Sequence, residues 1–264
     1  MTQLGGLAQR FESARVLFSL KGDKIRPSLF EIFKKRIALF LHGDRDGVSL
    51  NFLQKNTNGI FYNIEQLVQS EKELSTDILK HLKASGELFE QVTQNQKSIT
   101  SLRWNAELQL FSLLYSFIRS SKAKTIVETG VANGFTTNAV MRALEENNNF
   151  GTLYSFDVLP ETQSAYTGSG NWNFNLLNVR KAHKQLVEVV SKLPKVDLWI
   201  HDSNHGYRWQ KFEYLLALER LNQGGILVSD DIDASPAWGE LAKTHFRKSY
   251  IIFDSRKFIG IAFK

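Results

Sequence analysis

From Lys124 onward, short β-branched or aromatic runs alternate with helical segments, and this alternation constrains the fold more than any other feature. The runs are Thr125–Glu128, Leu153–Asp157, Trp172–Leu177, Val196–His201 and Ile226–Ser229. Strands that alternate with helices form a parallel sheet covered on both faces. Two further runs, Tyr250–Phe253 and Phe258–Phe263, flank Asp254-Ser255-Arg256. Parallel neighbours need a long crossover, so this last pair must be antiparallel. The expectation is a doubly wound, Rossmann-like α/β fold: a mostly parallel seven-stranded sheet with an antiparallel last strand.

Before these strands the helical period dominates. Ile64, Leu67, Val68, Ile78, Leu82 and Phe89 fall on one stripe, with Glu65, Lys72, Glu73 and Lys80 around it. Glu71 interrupts the stripe and marks either a less buried turn or a break. Leu108, Phe111, Leu114, Tyr115 and Ile118 form a second helical stripe suited to a sheet face, and Gly43-Asp44-Arg45-Asp46-Gly47 reads as a turn. No internal repeat is present. The division expected is a helical N-terminal region over 1–100, serving as substrate cover or oligomer interface, and an α/β domain over 101–264.

A chain of 264 residues can bury one sizeable α/β domain plus an appendage. No apolar run approaches the roughly 18–20 residues of a membrane span, and the start lacks the pattern of a secretory signal. The absence of cysteine excludes disulfides, thiolate zinc sites and cysteine nucleophiles. A cytoplasmic enzyme fits best. The net charge of +6 is dispersed, its densest cluster being Lys21, Lys24, Arg26, Lys34, Lys35 and Arg36. A solvated surface, or attraction to an anionic substrate, accounts for it more simply than RNA or DNA binding.

The loop Glu128-Thr129-Gly130-Val131-Ala132-Asn133-Gly134 follows an apolar strand and leads into a helix. Gly130 and Gly134 permit a tight turn and close approach to a ligand, and Thr136 or Thr137 is placed to cap the helix. The helix N-terminus offers N–H groups to a carboxylate, while Glu128 can accept from an ammonium. Asp157 ends the next strand, where a carboxylate can hold ribose hydroxyls. The alternative is a purely structural glycine turn. A dinucleotide is disfavoured because, counting from Gly130, Ala132 and Phe135 replace the second and third glycines of the G-x-G-x-x-G fingerprint.

Two more clusters sit at strand ends: His201-Asp202-Ser203-Asn204-His205 and Ser229-Asp230-Asp231-Ile232-Asp233. Asp202, Asp230 and Asp231 supply the hard oxygens that suit Mg²⁺ or a similar divalent cation, which would lower the pKa of a hydroxyl. The plainer readings are a helix cap or metal-free cofactor contact for Asp202 and a solvated loop for the other two. His205 is the candidate general base, or else a structural histidine at a helix start. His201 is expected to point into the sheet or its flanking helices, without chemistry.

Val127-Glu128-Thr129-Gly130, Asp197-Leu198-Trp199-Ile200-His201-Asp202-Ser203-Asn204-His205 and Gly224-Gly225-Ile226-Leu227-Val228-Ser229-Asp230-Asp231 resemble one branch of the class I S-adenosylmethionine-dependent methyltransferases. That branch contains metal-dependent macrolide and rhamnosyl O-methyltransferases, with catechol O-methyltransferase more distant. The resemblance covers roughly 102–264, and the antiparallel final hairpin agrees with that class. It implies a methyltransferase in which Asp202 serves metal, cofactor and catalysis, Asp230 and Asp231 complete the metal set, and His205 is the base. It implies Glu128, Gly130, Ala132, Gly134, Thr136 and Asp157 for S-adenosylmethionine. Ser203-Asn204 stands where the branch has Gly-Asp, which bears on substrate choice.

Trp172, Trp209, Trp238 and Tyr207 lie near strand ends and would wall a pocket for a sugar or aromatic ring, or else form ordinary core. Tyr166-Thr167-Gly168-Ser169-Gly170 has the composition of a lid or of a plain surface loop. The first reading is therefore a metal-assisted O-methyltransferase acting on a small hydroxylated molecule. A metal-free methyltransferase acting on RNA or protein is the alternative, weakened by the lack of an asparagine-proline motif near the fifth strand. A cofactor-binding scaffold without turnover is the third.

Overall fold

The computed structural model describes residues 48, 50–71, 74, 76–95, 98–148, 150–254 and 257–264. The basic cluster at 21–36, the turn at 43–47, Lys72, Glu73, Ser255 and Arg256 lie outside them.

Among the described residues, eight strands form one sheet: β1 (Gly59–Phe61), β2 (Thr125–Thr129), β3 (Thr152–Asp157), β4 (Trp172–Leu176), β5 (Val196–His201), β6 (Leu221–Ser229), β7 (Lys248–Asp254) and β8 (Lys257–Phe263). Read across the sheet, the order is β4-β3-β2-β5-β6-β8-β7-β1. All pairings are parallel except those of β8 with β6 and with β7. The sheet is mostly parallel with an antiparallel last strand, as the final spacing predicts. It has one strand more than the seven expected. β1 comes from the region read as predominantly helical and pairs with β7 from Gly59↔Tyr250 to Phe61↔Ile252. At three residues it is too short for the alternation of apolar residues to register as a strand signal.

The helices among the described residues are α1 (Leu50–Asn56), α2 (Ile64–Ser70), α3 (Asp77–Asn95), α4 (Leu108–Ser121), α5 (Phe135–Glu146), α6 (Ala182–Lys192), α7 (Tyr207–Arg220) and α8 (Ala237–Thr244). Alternate strand residues feed two cores. Leu198, Ile200, Ile226, Val228 and Ile252 meet α3, α4 and α5 on one face. Trp199, Leu227, Ile251 and Phe253 meet α6, α7 and α8 on the other. This period of two is why each central strand reads as a continuous apolar run.

The stripe interrupted at Glu71 does break there. The Glu71 N–H closes α2 on the carbonyl of Leu67, and its buried carboxylate accepts from Lys248 Nζ at 3.0 Å and from the Tyr250 hydroxyl. The charge that spoils the helical pattern thus ties α2 to β7.

Winding reverses between β2 and β5, which are adjacent although β3 and β4 intervene in sequence. Ligands of open α/β sheets bind at such switch points, outside the carboxyl ends of the strands.

Candidate active site at the carboxyl edge of the sheet

The loop after β2 threads between the exits of β3 and β5. The Gly130 N–H donates to Phe156 O at 2.8 Å, and the Asp202 N–H donates to Thr129 O at 2.9 Å. Gly130 has φ +85°, and a Cβ there would lie 1.9 Å from the carbonyl oxygen of Asp202. Gly134 has φ +78°, and its Cβ would lie 2.7 Å from the Ala165 side chain. Both glycines carry the positive φ of the tight turn read from the sequence, and both are also crowded by the protein's own neighbours. Ala132, at the second fingerprint position, keeps the left-handed conformation with φ +47°.

Asp157 faces this loop. Its Oδ2 accepts from the N–H groups of Val131 and Ala132 at 2.8 and 3.2 Å, and its Oδ1 accepts from Leu159 at 2.9 Å. Successive backbone N–H groups around a left-handed residue form a concavity suited to an anion, and here the carboxylate of β3 occupies it.

Glu128 is fully buried. Its Oε2 accepts from Thr137 at 2.8 Å and Ser155 at 2.5 Å, while Oε1 has no hydrogen-bond partner. Burial pushes its pKa up to about 7, against the opposing effect of the Ser155, Thr136 and Thr137 hydroxyls. Neither threonine caps α5. Gly134 is the N-cap and supplies no side-chain bond, because Thr136 and Thr137 turn inward toward Glu128. Trp172 donates to Ser155 Oγ at 2.8 Å, so it braces the Glu128 cluster.

Across the switch point, Asp202 ends β5 and Asp230 and Asp231 follow β6, with the Asp230 N–H donating to His201 O at 2.9 Å. Asp231 has φ +49°, a left-handed conformation that aspartate tolerates better than most residues. His205 Nε2 lies 3.5 Å from Asp231 Oδ2 and 3.9 Å from Asp202 Oδ1. Burial and the charge of Asp230 hold the Asp202 carboxyl well above the usual range. Burial likewise lifts Asp230, against the opposing charge of Lys257.

That lysine has no place in the sequence reading. Lys257 Nζ forms a buried ion pair with Asp230 Oδ2. Burial favours its neutral form, but attraction to Asp230, Asp202 and Asp231 wins and keeps it charged. Lys257 opens the β8 run one residue before the apolar stretch, and a cation at the mouth of a buried strand was the signal available. The three carboxylates do not fit the cation expected between them. Asp230 is committed to an ammonium, and among the described residues no group of three or more His, Asp or Glu side chains is arranged to hold a metal ion.

Sequence reasoning also missed Asn133. Its Oδ1 accepts from the N–H groups of Ile99 and Thr100 at 2.9 and 2.7 Å, and its Nδ2 donates to Ser101 O at 3.2 Å and Asn105 Oδ1 at 2.7 Å. The loop thereby holds the segment leading into α4. Asp254 caps α4 itself by accepting from Leu110 N–H at 2.9 Å.

His201 lies inside as expected, paired with the buried Glu213, which also accepts from Thr129 Oγ1 at 2.7 Å and Ser203 Oγ at 3.0 Å. Trp238 is wholly buried in the core against Gly260 and walls no pocket. Trp209 packs on His183 and Phe212, and Tyr207 bonds Glu240 on the surface. Tyr166 is buried, its hydroxyl bonding Glu145 and Ser169 O, so the 166–170 loop is pinned at one end.

Residues 127–232 match the family model described as Methyltransferase domain. This stretch of the chain is similar to a methyltransferase domain. The match runs from β2 through the acidic pair after β6, and so contains the glycine loop, Asp157, Asp202, His205, Asp230 and Asp231. The mostly parallel sheet with its antiparallel β8 is a Rossmann-like α/β fold. No curated protein matches the sequence. Among solved structures, the chain is similar to an O-methyltransferase from Bacillus cereus in complex with SAH, at 13% identity and TM-score 0.45, covering 80% of this chain and 100% of that one. It is similar to the O-methyltransferase TomG from Streptomyces achromogenes at 13% identity and TM-score 0.44, covering 77% and 97%. It is similar to an rRNA methylase from Streptococcus thermophilus at 19% identity and TM-score 0.40, covering 53% and 87%. Likenesses this distant assign no substrate. No helix among the described residues is long and apolar enough to cross a membrane.

Proposed function

We propose that this methyltransferase transfers the methyl group of S-adenosylmethionine to a hydroxyl of a small molecule such as a sugar or natural product. The observation that carries this reading is the position of His205 against Asp202 and Asp231, at the sheet exit that also bears the glycine loop.

Glu128, Asp157 and the loop from Gly130 through Ala132 and Gly134 to Thr136 would hold the cofactor, with Asp202 at its edge. The unpartnered, buried Oε1 of Glu128 suits a cationic donor. When bound, S-adenosylmethionine supplies a methyl group on a sulfonium sulfur, leaving S-adenosylhomocysteine after transfer to oxygen. His205 takes the hydroxyl proton at Nε2. Asp231, which faces the same nitrogen, stabilises the positive charge it acquires, with Asp202 beside it. The remaining contribution is alignment of oxygen and methyl carbon, which a rigid strand-end scaffold provides. Residues 99–105, held against the loop by Asn133, would cover part of the site.

The test is product formation from a panel of sugars and phenols, followed by mass spectrometry, with calorimetry of S-adenosylhomocysteine on the same protein. His205→Gln is expected to abolish transfer while leaving cofactor affinity within about twofold. Equal turnover by wild type and His205→Gln would remove His205 from the chemistry.

A further inference from the structure

The acidic cluster already contains a cation of its own. β8 runs antiparallel to its neighbours, so its first residue, Lys257, lies at the edge where the parallel strands end, paired with Asp254. The Lys257 side chain is 5% exposed, and its Nζ bonds the wholly buried Asp230. An ammonium in such surroundings is tolerated only when carboxylates compensate it. Here Asp230, Asp202 and Asp231 all act on it. A divalent ion entering the same cluster would have to displace the ammonium from Asp230 or sit beside it against like-charge repulsion.

Taking this edge as the methyl-transfer site described above, we propose that Lys257 is the resident cation of the Asp202–Asp230–Asp231 cluster, standing where a divalent metal would otherwise bind. The tethered ammonium neutralises Asp230 from below. It leaves Asp202 and Asp231 to face His205, which is the more exposed of these groups at 22%. Lys257 is thus a positioning residue that acts through the carboxylates, and the site works without added metal.

The experiment is a Mn²⁺ titration of chelator-treated full-length protein, read from the electron paramagnetic resonance signal of the free ion. Calorimetry of S-adenosylhomocysteine on the same samples tests the methyl-transfer reading separately. Wild type is expected to leave Mn²⁺ free. Lys257→Gln is expected to take up about one ion per chain, at least tenfold more tightly than wild type, and Asp230→Asn in that background should abolish the uptake. A lysine that merely supported the fold would not convert the cluster into an ion site. Ion uptake by wild type that Asp230→Asn removes would overturn the proposal, and this arm does not depend on the folding of Lys257→Gln. A folded Lys257→Gln that takes up no ion would also overturn it. Failure to bind S-adenosylhomocysteine would bear on the methyl-transfer reading alone.

Discussion

Gly130 and Asp202 are so close that any Cβ on residue 130 would lie 1.9 Å from the carbonyl oxygen of Asp202. The contact joins the glycine loop to the carboxylate cluster without any side chain at Gly130, and the left-handed φ of +85° adds a second demand for glycine. Gly130→Ala is expected to cost about 3 kcal/mol or more, combining left-handed strain with displacement of the β5 exit. Urea unfolding measures it, and a loss under 1 kcal/mol would mean that the two loops are not so tightly apposed.

Ala132 presents the opposite case. It holds φ +47° in the place of a fingerprint glycine, a strain of about 1–2 kcal/mol. Ala132→Gly relieves that strain but frees the unfolded chain by about 0.4–1 kcal/mol. The variant should therefore be as stable as wild type or up to about 1.5 kcal/mol more stable. A clear loss of stability in thermal unfolding would contradict the left-handed assignment.

Asn133→Ala removes acceptor and donor bonds to four residues of the 99–105 segment. At about 1 kcal/mol for each net bond, and more for donors left buried, the expected loss is about 2–4 kcal/mol. The segment should become the first site of proteolytic cleavage. An unchanged cleavage pattern would show that the clasp does not hold it.

Glu128 makes stability depend on pH. Its pKa is raised from 4.5 in the unfolded chain to about 7 in the fold, so the native state retains a proton that the unfolded state has lost. The contribution is fully present below pH 4.5, declines as pH rises, and is gone above about 7, a change of about 3 kcal/mol. Glu128→Gln should flatten this part of the stability–pH curve. A wild-type curve rising between pH 4.5 and 7 with no difference in the variant would contradict the burial assigned to Glu128.

Much of this fold was legible because parallel strands buried on both faces must be apolar throughout, and residues 196–201 and 226–229 were read with the correct register of carboxylates at their ends. The break at Glu71 was marked by its charge. What escaped was long-range. Nothing local to Lys257 says that three aspartates from other strands converge on it, and nothing at Asn133 says that residues 99–105 lie across it. β1 was hidden by its length. The glycines were recognised, but the crossings of Gly130 over Asp202 and of Gly134 against Ala165, which require them, exist only in the folded chain.

If the switch-point loop and the carboxylate of β3 form the proposed cofactor site, calorimetric titration of S-adenosylhomocysteine into wild type and Asp157→Ala will register it. One site per chain is expected in wild type and at least a tenfold weaker one in the variant, which loses both the loop contacts and any bond to the ligand. No heat of binding from folded wild-type protein would contradict it.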